Sequence, residues 1–385
     1  MPDFIMWRFL RLPLHVRDIV RFPPDPRMKS ILITGNMGYI GPRVVDYLRR
    51  TRRDARLSGV DTGFFAANLI DNTVLPECAL DEQRFADIRG LTAQDLKGFD
   101  SVIHLAAISN DPMGNAYEKV TEEINYQGTM NVARAAKQAG VRHFVFASSC
   151  SVYGFAEDGA RTERSTVNPL TAYARSKVAS EIGLQDLAGP GFIVSCLRFA
   201  TACGASPRLR LDLVLNDFVA CAKTSGVIRI LSDGTPWRPL IVVDDMARAM
   251  DWAIDRKASN GGEHLVVNVG SSAWNYQVRD LAEAVVRAVP GATVEINTSA
   301  APDKRSYKAD FSLFESLAPK HQPQIDLARA IAELSQLLDE TGFADANFRQ
   351  SRYMRLNMLS QLMKSGRLTS DLVWADRAGE VAALV

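Results

Sequence analysis

The sequence predicts an α/β protein with a doubly wound parallel sheet and a smaller C-terminal lobe, on three observations. Short apolar runs rich in β-branched residues alternate with helix-length stretches from residue 31 to about 200, the pattern of βαβ units. Gly35, Gly38 and Gly41 stand at three-residue spacing between the first run and the first helix. A second run ends in Asp61, twenty residues past Gly41.

Ile31 to Ile33 form the first strand, and Val44, Val45, Tyr47 and Leu48 fall at helical spacing after the turn. Gly35 lets the backbone turn sharply, Gly38 removes the Cβ that would block a pyrophosphate, and Gly41 lets helix and strand pack closely. The helix N-terminal amides then aim at phosphates, so Gly35, Met37, Gly38, Tyr39, Ile40 and Gly41 are the expected cofactor contacts. Leu57 to Val60 read as the second strand, which places the Asp61 carboxylate where it accepts from adenosine ribose hydroxyls. An acid there repels a 2′-phosphate, and the expected cofactor is NAD rather than NADP.

A third segment ends at Asp87-Ile88. The next strand runs Val102-Ile103-His104-Leu105-Ala106-Ala107 into a polar turn at Ser109-Asn110-Asp111-Pro112, followed by a helix over about 116–139. Val141 to Ser148 is a strand ending in Ser148-Ser149-Cys150-Ser151-Val152-Tyr153-Gly154, which sets several hydroxyls at the carboxyl end of the sheet, where open α/β folds bind ligands. Asn168-Pro169-Leu170-Thr171 leads a helix in which Tyr173 and Lys177, at i and i+4, share one face. Phe192 to Arg198 is a further strand.

Beyond it the alternation breaks down, and 206–219, 227–233 and the turn at 234–238 are expected to be an irregular lid. His264 to Gly270 reads as a returning strand, Asn275 to Val289 as a helix, Ala292 to Asn297 as a strand, and most of 324–363 as helical. The domain reading is an extension over 1–27, a dinucleotide-binding core over 28–200 with returning segments about 240–270, a substrate-binding lobe from 201–239 and 271–345, and a helical extension over 346–385.

Composition is that of a soluble globular protein: 385 residues, 47% hydrophobic and 23% charged. A net charge of +1 argues against a nucleic-acid binder. Cys78, Cys150, Cys196, Cys203 and Cys221 lack zinc-site spacing, so no metal is expected and reduced thiols in a cytoplasm fit best. No apolar run approaches the roughly 20 residues that span a bilayer, and no signal peptide is visible. Met28-Lys29-Ser30 reads as a natural start. Before it, Phe4, Ile5, Trp7, Phe9 and Leu10 mix with Arg8, Arg11, Arg17 and Arg21. That stretch reads as an amphipathic membrane-surface helix or, preferably, as a poorly ordered extension closed by Pro23-Pro24-Asp25-Pro26.

A tyrosine is a poor base at neutral pH, but a lysine cation one turn away stabilises its phenolate. Tyr173 with Lys177 can therefore take a proton from a sugar hydroxyl, while a nicotinamide at the same sheet edge accepts hydride from the carbon. Ser149 can hydrogen-bond the same oxygen and hold it in line. Each residue alone has a bland reading as a packed aromatic, a solvated charge or a strand-end cap. The ordered set favours catalysis.

Thr34-Gly-x-x-Gly38-x-x-Gly41, Asp87-Ile88, His104-Leu105-Ala106-Ala107, Ser149-x-x-Val152-Tyr153-Gly154, Tyr173-x-x-Ser176-Lys177 and Val243-Asp244-Asp245 together resemble the extended short-chain dehydrogenase/reductases, the NAD-dependent epimerase/dehydratase family of nucleotide sugars, over about residues 28–315. The resemblance implies a Rossmann fold, tightly held NAD(P), a C-terminal lobe for a nucleotide-diphosphate sugar, and, as often in the family, a homodimer built from the helices at about 116–139 and 172–188. It carries cofactor contacts to Asp87, Ile88, Leu105, Ala106 and Ala107 besides Tyr173 and Lys177. For the substrate it implies Ser149, Asn216 and Arg238, with Arg305 a substitute for an arginine lost at Ala300-Ala301-Pro302-Asp303. The usual Arg-x-x-Asn-Pro is Arg198-Phe199-Ala200-Thr201-Ala202 here.

Sugar 4,6-dehydratases of the family carry Asp-Glu after the strand-end hydroxyl, where this chain has Cys150-Ser151. Decarboxylating members carry Glu, and cysteine-using epimerases carry Cys, at the position of Ser151, which leaves Cys150 a packing residue. The pattern that remains is a 4-epimerase, which needs no second acid. The alternatives are a nucleotide-ketosugar reductase or dehydrogenase, and a non-catalytic NAD-binding regulatory or scaffold protein.

Overall fold

Seven strands form the central sheet, and the way the chain enters them sets the position of the site. β1 (Ser30–Thr34) leads through a turn to α1 (Gly41–Thr51), followed by β2 (Arg56–Asp61), β3 (Glu82–Phe85) and β4 (Ser101–His104). Then come α2 (Asp111–Ala116), α3 (Glu118–Glu122), a π-helical stretch over Glu123–Gly128, α4 (Thr129–Gln138), β5 (His143–Ser149), β6 (Phe155–Arg161), α5 (Ala172–Leu187) and β7 (Ile193–Phe199). β8 (Thr201–Cys203), α6 (Val214–Thr224), β9 (Val227–Ile230), β10 (Trp237–Val242), α7 (Val243–Ala253) and β11 (His264–Val269) follow. This computed structural model describes residues 28–375 apart from 72, 110, 298 and 300–304, and apart from the side chains of 111, 115, 157 and 158. The expected extension over 1–27, Asn110, the altered motif at 300–303 and residues 376–385 lie outside the described residues.

The sheet order is β11-β7-β5-β4-β1-β2-β3, with every neighbouring pair parallel. The chain runs outward from β1 to β3 and then returns to β4 on the other side of β1. That reversal opens a crevice at the carboxyl ends of β1 and β4. Both sheet faces are covered: Ile31 and Ile33 pack with Val44, Leu48 and Met246 on one side, and Leu32 and Val102 with Val132 and Ala136 on the other. Burial on both faces is why these strands read as continuous apolar runs.

The remaining elements are β12 (Asn275–Gln277), α8 (Val278–Ala288), β13 (Thr293–Ile296), β14 (Ser306–Ala309), α9 (Ser312–Leu317), α10 (Leu327–Glu340) and α11 (Arg355–Lys364). β10 pairs with β8 in parallel and with β12 antiparallel, while β9–β13 and β6–β14 are parallel pairs.

Three local expectations are corrected. The stretch 206–238 is not an irregular lid: α6 occupies its middle, with Leu215, Phe218, Val219 and Ala222 buried at helical spacing. The helix expected from Asn275 starts at Val278, because the Asn275 amide is held by the Ala309 backbone and Gln277 with Asp280 forms a capping box. The helix expected over 116–139 begins at Asp111, ahead of Pro112 in the first turn, and breaks at Tyr117 (φ −130°, ψ 49°). No helix among the described residues is long and apolar enough to cross a membrane.

Candidate active site

A cavity of about 850 Å³ lies along the crevice. Its floor is the glycine turn. Gly35 adopts φ +75°, and a Cβ there would sit 2.5 Å from the Ala106 backbone nitrogen, so β4 could not approach. A Cβ on Gly41 would sit 2.1 Å from the Asn36 carbonyl oxygen, so the third glycine admits the turn itself. Gly35, Gly38, Tyr39 and Ile40 line the cavity; Met37 and Gly41 do not. Met37 is buried instead, with its backbone N–H donating to Asp61 Oδ2 at 3.0 Å. These two shape the turn from behind.

Asp61 lies at the end of β2 and lines the cavity. Its Oδ1 accepts from the Gly63 N–H at 2.7 Å and its Oδ2 from Met37. Burial pushes its carboxyl up, while the Gly63 and Met37 donors and then Arg208 pull it back. Each oxygen keeps a second lone pair for a hydroxyl. Asp87, Ile88, Leu105, Ala106 and Ala107 line the same cavity, Asp87 with its carboxylate held by Arg89 at 2.6 Å. A side-chain-free position at Gly38, a carboxylate with lone pairs to spare and the apolar walls of Phe64, Phe65 and Ile88 fit the phosphates, ribose and adenine of a dinucleotide.

At the other end stand Ser149, Tyr173 and Lys177, all lining the cavity. Thr171 caps α5, its hydroxyl accepting from the Ala174 N–H at 3.2 Å, and this sets Tyr173 in the first turn. Ser149 Oγ accepts from the Ser151 N–H at 3.1 Å, which fixes the hydroxyl at the strand end. The Lys177 ammonium lies 4.6 Å from the Phe146 ring centre and 5.5 Å from that of Tyr173. Burial pushes it down to about 7, against the pull of Glu181.

Residues not foreseen support this end. Glu181, one turn beyond Lys177, pairs with Arg198 at 2.6 Å in the interior, and Ser148 donates to the same carboxylate. The 173, 177, 181 spacing on one helix face was a legible signal. Arg210 lines the cavity, buried, with Asp212 at 2.9 Å and the Ser109 hydroxyl at 3.0 Å. Arg208-Leu209-Arg210-Leu211-Asp212, charges alternating with leucines, was its signal.

Arg238 and Arg305 line the cavity. Asn216 does not, and the expected substrate contact is corrected. It is fully buried, its Oδ1 accepts from the Gly204 N–H at 3.0 Å, and its Nδ2 donates to the Tyr39 hydroxyl at 3.0 Å and the Arg210 carbonyl at 2.8 Å. It ties the Arg210 loop to the glycine turn. Cys150 is buried with its Sγ 3.1 Å from the Arg198 carbonyl, and burial pushes its thiol up, as befits packing.

A model of the NAD dependent epimerase/dehydratase family matches residues 31–270, and the chain belongs to that family. It is 28% identical over 295 residues to a UDP-glucose 4-epimerase of Pasteurella multocida (strain Pm70), covering 66% of this chain and 81% of that protein. It is 27% identical to a dTDP-glucose 4,6-dehydratase of Streptomyces griseus, covering 63% and 74%. A solved structure of MoeE5 in complex with UDP-glucose and NAD superposes with a TM-score of 0.66 at 26% identity, covering 81% of this chain and 99% of that one.

Proposed function

We propose that this member of the NAD dependent epimerase/dehydratase family is a nucleotide-sugar epimerase, acting at C4 of the sugar. The observation that carries the reading is the composition of one cavity wall: Ser149, Tyr173 and Lys177 face in, while the position after Ser149 is a cysteine buried away from it. Elimination of water needs an acid and a base beside the sugar. Cys150, with its thiol pushed up by burial, serves as neither.

Gly38, Tyr39, Ile40, Asp61 and Ile88 would hold NAD, with Lys177 and Tyr173 at its nicotinamide end. Bound there, NAD supplies reversible hydride acceptance at the sugar carbon. Tyr173 takes the hydroxyl proton as that carbon is oxidised and returns it when the ketone is reduced. Lys177 stabilises the phenolate in between, and the anion in turn holds the lysine protonated. Ser149 donates to the sugar oxygen and fixes its line of approach to Tyr173. Arg238 and Arg305 supply cations for the diphosphate, leaving the sugar to present either face. The reading includes a homodimer through α5 and the helices of 116–139, which would cover Ile182, 61% exposed on α5.

The test is incubation with UDP-, GDP-, CDP- and dTDP-hexoses without added reductant, followed by NMR of the sugar stereocentres. An inverted C4 in one of them is expected. Products that form only with added NADH would assign a reductase instead.

A further inference from the structure

We infer that the C-terminal segment completes the dinucleotide site, with the Arg355 guanidinium donating to a phosphoryl oxygen of the bound dinucleotide. The inference rests on the reading of the cavity as a NAD site. Arg355 lies well beyond the family-matched residues 31–270. It opens α11, whose Leu359 and Leu362 bury in the same core as Phe64 and Ile88. The segment clasps the loop that follows Asp61 at several points. The Trp374 indole donates to the Thr62 carbonyl at 2.7 Å with its ring centre 5.7 Å from that of Phe64, and the Asn68 amide donates to the Arg352 carbonyl; beyond β3, Arg89 donates to the Asp371 carbonyl at 3.0 Å. Arg355 itself stacks 4.5 Å above the Phe65 ring, and Thr62, Phe64 and Phe65 form cavity wall.

Arg355 is only 1% exposed and lines that cavity. Its Nη2 donates to the Arg208 carbonyl at 2.9 Å, while its Nη1 has no hydrogen-bond partner among the described residues. A buried guanidinium with an unused donor is a costly arrangement that a native site resolves with an anion. Asp212 pairs with Arg210 and Glu77 with Arg208, and no hydrogen bond or ion pair joins Arg355 to Asp61 among the described residues. Burial first, and then Arg210, push the Arg355 cation down to about 9, with Asp212, Arg208 and Asp61 as smaller influences. Arg210 and Arg355 both line this part of the cavity, with Arg208 behind them paired to Glu77. The anion a dinucleotide brings beside the Asp61 ribose is its pyrophosphate, and a planar fork suits phosphoryl oxygens.

The test uses full-length protein stripped of cofactor, as wild type, Arg355→Met and Arg355→Lys, titrated calorimetrically with NAD, ADP and adenosine. Arg355→Met should bind NAD and ADP about 10- to 100-fold more weakly and adenosine unchanged, with Arg355→Lys between. Its ligand-free Tm should hold or rise, since an incompletely paired buried charge is gone. Equal NAD affinity in wild type and Arg355→Met overturns the inference, as does a loss for adenosine as large as for ADP. Should Arg355→Met fail to fold, hydrogen exchange on wild type decides: NAD and ADP should slow the amides of 352–374 and adenosine should not, and unchanged exchange with NAD overturns it. A wild type that binds no dinucleotide defeats the reading of the cavity, whereas a binding wild type with an unaffected variant defeats this inference alone.

Discussion

Replacing Lys177 by methionine should stabilise the cofactor-free protein while abolishing its activity. The ammonium is 3% exposed, and burial lowers its pKa from 10.5 to about 7, Glu181 and Cys196 offsetting part of the effect. At 1.36 kcal/mol per unit, holding that lysine charged in the fold costs ~5 kcal/mol. The folded value lies below the unfolded one, so between about pH 7 and 10.5 the unfolded chain binds more protons and stability rises with pH. The contribution is complete above about 10.5 and is lost as pH falls toward 7. Methionine has a similar reach, packs on Phe146 and carries no charge. Urea unfolding at pH 6 should find Lys177→Met more stable by up to ~5 kcal/mol, and the gap should narrow to ~1 kcal/mol by pH 10. A variant no more stable than wild type at pH 6, or a gap that ignores pH, would refute the reasoning.

Asp61→Ala should weaken NAD binding by about 1–3 kcal/mol and leave NADP binding unchanged or tighter, read by titrating both cofactors. Because the carboxylate also holds the Met37 and Gly63 backbones, the ligand-free Tm of that variant should fall as well. Glu181→Gln leaves Arg198 buried without its counter-charge, and urea unfolding should show a loss of about 3–5 kcal/mol, larger than any surface charge change in α5.

What the sequence made legible was what short-range geometry dictates. The glycine turn, Asp61 at a fixed offset, and Tyr173 with Lys177 one turn apart are local patterns, and the structure brings them to one cavity. Arg210 and Arg355 reach that cavity from segments far along the chain, and only tertiary contacts place them: Asn216 ties the Arg210 carbonyl to Tyr39, and Arg355, opening α11, stacks on Phe65. Asn216 went the other way: a motif suggested ligand contact, yet burial spends every hydrogen-bonding group of its amide on Tyr39, Gly204 and Arg210. Helix α6 was readable from its buried spacing but was masked by the polar, arginine-rich stretch before it.

The most direct measurement of the central claim follows a nucleotide hexose deuterated at C4, the nucleotide chosen from the substrate panel, through wild type and Tyr173→Phe by NMR, with no added NADH. Wild type should invert C4 and keep the deuterium on that carbon, because the same cofactor molecule takes and returns it, and Tyr173→Phe should bind the sugar but turn it over at least about a hundredfold more slowly. Washed-out deuterium, an unchanged C4 with every nucleotide, or a Tyr173→Phe variant as fast as wild type would contradict it.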